Sequence, residues 1–335
     1  MSIIFSIETS CDETSAAVIK DGREILGHAV ASQEAIHAKY GGVFPEVASR
    51  KHIEVIRPIV TEALEQSNLA WDDMDCIAVT KGPGLVGSLL VGVNMAKGLS
   101  IATGKPILGV NHIEGHIYSQ WLTDGADEFE FPLICLVVSG GHTELYLMRD
   151  HCTYEHLGGT IDDAAGEAFD KVGRILGLPY PGGPHIDRAA KTGDPARFDF
   201  PRAVLKDGYN FSFSGLKTAA MREIQKCEKA SDIEELPVND LAASFQQAVV
   251  DVLIIKTGRA VKETGAKGVH ISGGVSANSQ LRQEMAERLD VPVRTPPLFL
   301  CTDNAAMIGA AAHQHFIRGE SSGYDMDVSP SLQIR

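Results

Sequence analysis

Two histidines, His112 and His116 in NHIEGHIYS, stand four residues apart. That is about one helical turn, so both imidazoles can leave the same helix face and grip a single metal ion. The plainer reading is a pair of half-buried helix histidines bonded to their neighbours. Asp303, in CTDNAAMIG, reads equally as a helix cap or as the carboxylate completing a two-histidine, one-carboxylate set with open coordination positions. Paired histidines also suggest hydrolytic zinc sites, in which the glutamate of His-Glu-x-x-His acts as base. Glu114 lies two residues from each histidine, ~200° around a helix, and is expected to point away from the ion. A protease built here has no base.

Small polar turns supply the other candidate chemistry. In TSCDETS, Ser10, Thr14 and Ser15 offer hydroxyls, while Asp12 and Glu13 suit metal or proton work better than direct phosphate contact. In VVSGGHT, Gly140 and Gly141 carry no side chain, so a ligand can approach the backbone closely. HISGGVSANSQLR ends a strand and begins a helix, where N–H groups and Asn278 can hold the polar edge of a nucleotide. GPGLVGS matches a P-loop only to its second glycine and reads instead as a turn that packs a helix closely. Asp170 and Asp187, the latter just past a Gly-Pro loop, are further candidate ligand contacts, or ordinary solvated acids. Lys217, Lys256, Arg259, Lys262 and Lys267 suit an anion or a solvated helix face.

These residues need strand ends and helix starts to hold them. Runs 3–8 and 16–19 read as strands around the first turn, and 133–138 with 144–148 repeat that plan around the second. The periodicity predicts helices over 52–67, 85–103, 162–176 and 239–264, strands at 76–80 and 268–272, and a strand ILGV leading into the His112 helix. Residues 177–215 are expected to be irregular, and SSGYDMDVSPSLQIR to be a loose tail.

The 335 residues, 44% of them hydrophobic, suit two domains. Six cysteines form no Cys-x-x-Cys pair, which argues against a disulfide scaffold or a cysteine zinc site and points to a reducing cytoplasm. The start lacks a basic segment and its short apolar run contains Glu8, unlike a secretory signal. LVGSLLVGVNMAKGLSIA is interrupted by Asn94 and Lys97 and reads as a buried or amphipathic helix, so no membrane role is expected. A formal net charge of -14 opposes nonspecific adhesion to nucleic acid.

Taken in order, IETSCDETS, HAKYGGVFPEVASRKH, GPGLVGSLLVG, NHIEGHI, VVSGGHTEL, GEAFDKVGRILGLPYPGGPHID, FSFSGLKTA, GGVSANSQLR and CTDNAAMIG resemble the TsaD/Kae1 family of tRNA N6-adenosine threonylcarbamoyltransferases, formerly described as O-sialoglycoprotein endopeptidases. The resemblance implies an α/β fold of the actin/Hsp70/sugar-kinase type (ASKHA), with two lobes and duplicated mixed sheets around a nucleotide cleft. It implies an N-terminal lobe over 1–131 on which a helix at 303–318 packs back, a C-terminal lobe over 132–302 and a tail over 319–335. Its metal ligands fall on His112, His116 and Asp303, the ion being Fe2+ with Zn2+ as alternative. Substrate contacts fall on Val137, Val138, Ser139, Gly140, Gly141, Asp170, Gly183, Asp187 and Asn278. Glu13, with Asp12 beside it, matches the acidic pair tied to activity.

The implied reaction moves the threonylcarbamoyl group of threonylcarbamoyl-AMP to N6 of the adenosine 3′ of the anticodon, in tRNAs reading codons that begin with A, and releases AMP. Implied partners are tRNA, a TsaB-like paralogous subunit, a TsaE-like ATPase and an upstream synthase of the TsaC or Sua5 type. His37, Lys39, Arg50, Lys51 and His52 are expected to lie together on a loop and helix start able to receive the anticodon arm. The competing classes are a metalloprotease, weakened by the placement of Glu114, and an ASKHA-type ATPase or kinase. The latter leaves two histidine ligands unexplained, because Mg2+ prefers oxygen.

Overall fold

The computed structural model describes residues 1–123, 130–203, 208–229 and 235–334. Among the described residues ten strands run in chain order: β1 (Ile3–Glu8), β2 (Glu13–Lys20), β3 (Glu24–Ser32), β4 (Cys76–Gly82), β5 (Ile107–Asn111), β6 (Leu133–Val138), β7 (Thr143–Asp150), β8 (Thr153–Gly159), β9 (Gly268–Ser272) and β10 (Val293–Arg294). The α-helices among the described residues are α1 (Glu34–His37), α2 (Pro45–Ser67), α3 (Val86–Thr103), α4 (His112–Tyr118), α5 (Ala165–Ile175), α6 (Gly182–Ala190), α7 (Ser214–Lys229), α8 (Val238–Thr264), α9 (Ser279–Arg288) and α10 (Ala305–Phe316). They form two compact units. One comprises Met1–Glu128, His151–Thr153 and Pro296–Arg335, the other Phe129–Asp150 and Tyr154–Thr295.

In the first unit the five strands lie in the order β3-β2-β1-β4-β5. β1 pairs antiparallel with β2 and parallel with β4, so the first strand of the chain becomes the buried centre. All six of its residues are buried, which is why IIFSIE reads as a continuous apolar run rather than an alternating one. Alternation decides what each side chain meets. Phe5 and Ile7 pack with Ile56, Val60 and Val93 from α2 and α3, and each buried side chain of this size contributes roughly 2–3 kcal/mol. On the opposite face, Ser6 donates to Ala305 O at 2.6 Å. A Cβ on Gly309 would stand 2.5 Å from Ile19 Cγ1, so the small residues of α10 are what let it lie against the sheet.

The second unit repeats the plan. Its order is β10-β9-β6-β7-β8, again with the first strand central, an antiparallel hairpin on one side and parallel strands on the other. Ile134, Leu136 and Val138 of β6 share a core with Phe169, Phe245 and Val249 from α5 and α8. Both α3 and α8 are long and apolar enough to cross a membrane, yet the first packs Leu89, Val93 and Ala96 inward and the second buries fifteen residues.

Two expectations are corrected. The stretch 177–215 contains a regular helix, α6, and the start of another, α7. Gly182, Gly183 and Pro184 resemble a helix breaker, but they occupy the first turn of α6, where no intrahelical N–H partner is required. The last residues form no long element, yet they are not loose. Ser322 N donates to Ile107 O at 2.8 Å, Ser329 N to Lys81 O at 2.8 Å, and Gly84 N to Pro330 O at 3.1 Å. They therefore lie against β5 and the end of β4 in the first sheet.

Candidate functional site

The parallel strand β5 ends at Asn111, whose side chain accepts from Ile113 N and Glu114 N and so starts α4 at the strand end. On this helix His112 and His116 are buried, with ring centroids 4.7 Å apart. Asp303 Oδ1 lies 3.5 Å from His112 Nε2 and 3.1 Å from His116 Nε2. One ligand atom from each residue falls within 4.8 Å of the others. Two imidazole nitrogens and one carboxylate oxygen at this spacing suit a divalent iron or zinc ion with open positions, so the donor set fits the implied metal.

A carboxylate that the sequence reading did not place at the site completes the arrangement. Glu8, fully buried at the end of β1, puts Oε2 3.1 Å from His112 Nδ1 and accepts hydrogen bonds from Thr80 and from the Ser10 backbone. An imidazole whose far nitrogen meets a carboxylate is held in one orientation and made a stronger donor at its near nitrogen. Its signal was a charged residue inside an otherwise apolar strand. Burial alone would lower the His112 pKa, but Asp303 and Glu8 outweigh it and lift the group to about 9. Burial prevails at His116, which is pushed down.

The acidic turn lies in the same unit. Glu13 is half-buried, and burial, then the charges of Asp12 and Asp303, raise its carboxyl well above the ordinary value. Ser32 Oγ donates to it at 3.3 Å. His52 braces the turn: its Nδ1 is 2.7 Å from Thr14 Oγ1 and its Nε2 3.0 Å from Cys11 O. This corrects the reading of residues 37–52 as a basic surface. His37 and His52 are buried, His37 meeting Gln33, while Arg50 and Lys51 pair with Glu46 and Glu54. Among the described residues the GPG turn closes against this region, and a Cβ on Gly84 would stand 2.6 Å from Ser10 O.

Glu114 turns the other way. Its carboxylate meets His315 Nε2 at 2.8 Å, as the helical offset predicts.

The second unit brings its own candidates together. Val137 and Val138 are fully buried, so their side chains belong to the core and only backbone at the strand end can reach a ligand. Ser139 N donates to His142 O at 2.8 Å and Ser139 O accepts from Gly166 N, fixing the turn, while nothing lies within 4 Å of a Cβ placed on Gly140 or Gly141. Asp170 accepts from Gly182 N at 2.7 Å, so one oxygen of this carboxylate serves to start α6. Both oxygens of Asp187 lie 2.9 Å from Ser279 Oγ, and Gln246 bridges Asp187 at 3.2 Å to Asn278 at 2.7 Å. Gly183 has open space beside it, its hypothetical Cβ meeting only Phe169 Cβ at 3.9 Å. Lys217 is paired with Asp163, and Lys256 is buried against Gly208 O rather than solvated.

A family model described as TsaD, tRNA N6-adenosine threonylcarbamoyltransferase, matches residues 24–310. A protein of that name from Thermomicrobium roseum is 52% identical, covering 99% of this chain and 97% of its own length. Another from Bacillus subtilis is 50% identical over 99% of this chain and 95% of its own length. Among solved structures, component A of (R)-2-hydroxyglutaryl-CoA dehydratase from Acidaminococcus fermentans aligns with a TM-score of 0.55 at 16% identity, covering 96% of this chain and all of that one. Full-length HypF in a phosphate- and nucleotide-bound form aligns at 0.62 and 14% identity, over 96% of this chain and 56% of that one. These distant likenesses bear on the fold alone, of the ASKHA type, which this chain builds with two five-stranded mixed sheets.

Proposed function

The chain belongs to the TsaD family of tRNA N6-adenosine threonylcarbamoyltransferases, and from that premise we propose that it transfers threonylcarbamoyl from threonylcarbamoyl-AMP to N6 of the adenosine 3′ of the anticodon, releasing AMP. The observation that carries the reading is the convergence of His112, His116 and Asp303 within 4.8 Å, in a chain half identical to transferases of that name over nearly its whole length.

His112, His116 and Asp303 would hold the ion, Fe2+ in our reading with Zn2+ as the alternative, and Glu8 would keep His112 turned toward it. A bound divalent ion supplies a Lewis acid that polarises an acyl oxygen or screens phosphate charge. Glu13, its proton affinity raised by burial and by Asp12 and Asp303, is suited to accept the proton that leaves N6, with Asp12 maintaining that affinity. The exocyclic amine is a weak nucleophile because its lone pair is shared with the purine, so positioning matters more than base strength.

Binding falls to the second unit. The open backbone of Ser139, Gly140 and Gly141 at the end of Val137–Val138 receives an oxygen. Asp170, Gly183, Asp187 and Asn278 present polar groups to the adenosine portion of the donor, and the Gln246 bridge gives Asp187 and Asn278 a fixed spacing. We assign residues 1–131 with the returning helix 303–318 to an N-terminal lobe, 132–302 to a C-terminal lobe and 319–335 to the tail. A TsaB-like subunit, a TsaE-like ATPase and a TsaC or Sua5 synthase complete the system, in the cytoplasm. The net charge of -14 is a reason for tRNA to need such help.

The test incubates the purified protein and its partners with tRNA lacking the modification, threonine, bicarbonate and ATP, and digests the tRNA for mass spectrometry. Threonylcarbamoyladenosine is expected, falling about a hundredfold or more in His112→Ala and Asp303→Ala. An undiminished yield in both variants removes the metal assignment, and no product from the wild type removes the reaction.

A further inference from the structure

The face of α4 turned away from His112 and His116 carries a second group of metal-binding side chains. Glu114, Cys152 and His315 each offer one ligand atom within 4.8 Å of the others. Glu114 Oε2 lies 2.8 Å from His315 Nε2, and Cys152 Sγ lies 3.9 Å from that nitrogen. Ligand atoms around one tetrahedral zinc stand about 3.3–3.7 Å apart, so the Glu114–His315 pair would open slightly and the sulfur would draw closer, all three atoms already lying within 4.8 Å of one another. We propose that Glu114, Cys152 and His315 form a second divalent-metal site, selective for zinc-like ions, separate from the His112, His116 and Asp303 set.

The surroundings are those of a built site. His315 Nδ1 lies 2.9 Å from Glu320 Oε2, the carboxylate-on-histidine arrangement that fixes a ligating imidazole and strengthens its other nitrogen. Arg318 Nη1 reaches Cys152 Sγ at 3.2 Å and Tyr118 OH lies 3.6 Å from it. Both contacts hold the sulfur in place beside His315. The Glu114 side chain is only 6% exposed and that of His315 20%. A buried carboxylate anchor with a partly open histidine leaves a path for an ion to enter. Sulfur, nitrogen and oxygen donors together suit zinc and disfavour magnesium or calcium. Such an ion would tie the Cys152 backbone, α4 and the end of α10 at one point, a structural role.

Sulfur makes the proposal testable, because the first set contains none. The full chain, stripped with a chelator under reducing conditions, is titrated with Co2+ and followed by absorption. The expected result is two equivalents bound and a thiolate-to-cobalt charge-transfer band in the near ultraviolet. Cys152→Ser should lose the band entirely while keeping the sulfur-free cobalt spectrum, and His315→Ala should bind one equivalent. His112→Ala should keep the band. The retained spectrum in each variant also reports that the chain has folded. A single equivalent abolished by His112→Ala, or no sulfur band in the wild type, overturns the proposal, even if Cys152 alkylates rapidly.

Discussion

The β1–β2 and β6–β7 hairpins hold equivalent places in their sheets, yet they end in opposite chemistry. The first closes through Thr9–Thr14 between the paired Glu8 and Ser15, the second through Ser139–His142 between Val138 and Thr143. The first gathers Glu8, Asp12 and Glu13, with Asp303 adding a further carboxylate whose charge raises Glu13. The second has no charged carboxylate in its turn and exposes glycine backbone with open space above it. One plan thus yields a carboxylate-rich end and an end of open glycine backbone. A duplicated fold fixes where a turn sits, and the few side chains in the turn decide what it can bind.

That contrast can be broken most directly at Glu8. If it orients His112, Glu8→Gln should weaken divalent-metal affinity about 10–100-fold, measured by competitive chelator titration. Unchanged affinity would mean that the carboxylate serves only to pair with Thr80 and Ser10. The opposite unit should respond in stability rather than metal content. Gln246→Ala removes the bridge between Asp187 and Asn278 and should cost about 1–3 kcal/mol in denaturant unfolding, with metal binding unaltered.

Gly141→Val sharpens the difference further. Nothing lies within 4 Å of a Cβ placed there, so stability should shift by no more than about 0.5 kcal/mol. If the turn admits a ligand, KM for the acyl-adenylate should still rise about tenfold, roughly 1.4 kcal/mol of lost binding. The smallest effect concerns charge. Glu13 has a folded pKa above its ordinary 4.5, so the stability it contributes is fully present below about that pH and is lost as pH rises through the raised value. Glu13→Gln should therefore stabilise the metal-free protein near pH 8 by about 1 kcal/mol, or about 2 °C in Tm, and leave it unchanged near pH 4. Equal melting temperatures at pH 8 would show that the carboxylates do not oppose one another.

Much of this was legible because it is local. The His112/His116 spacing and the outward turn of Glu114 follow from helix geometry alone, and two strand-turn-strand runs announced the paired sheets. Asp303 stands 187 residues from His116, and its loop admitted a cap or a ligand until the fold joined them. Glu8 was hidden because a fully buried central strand gives no alternation by which to place a single charged residue. His52 looked like part of a basic surface, but tertiary packing turns it inward to Thr14 and Cys11. The tail left no sequence signal, since its attachments run largely through backbone groups that every residue shares.

Those attachments bear on when the site can exist. Leu332 O accepts from the side chain of Asn111 at 3.3 Å, and Asn111 is the residue that starts the histidine helix. Both Asp303 and Leu332 are translated well after His112 and His116. Until both have emerged, the nascent chain has two imidazoles without their carboxylate, and a helix cap without its outer support. A metal held by His112, His116 and Asp303 would therefore have to wait for the segment that carries Asp303, long after the paired histidines are made.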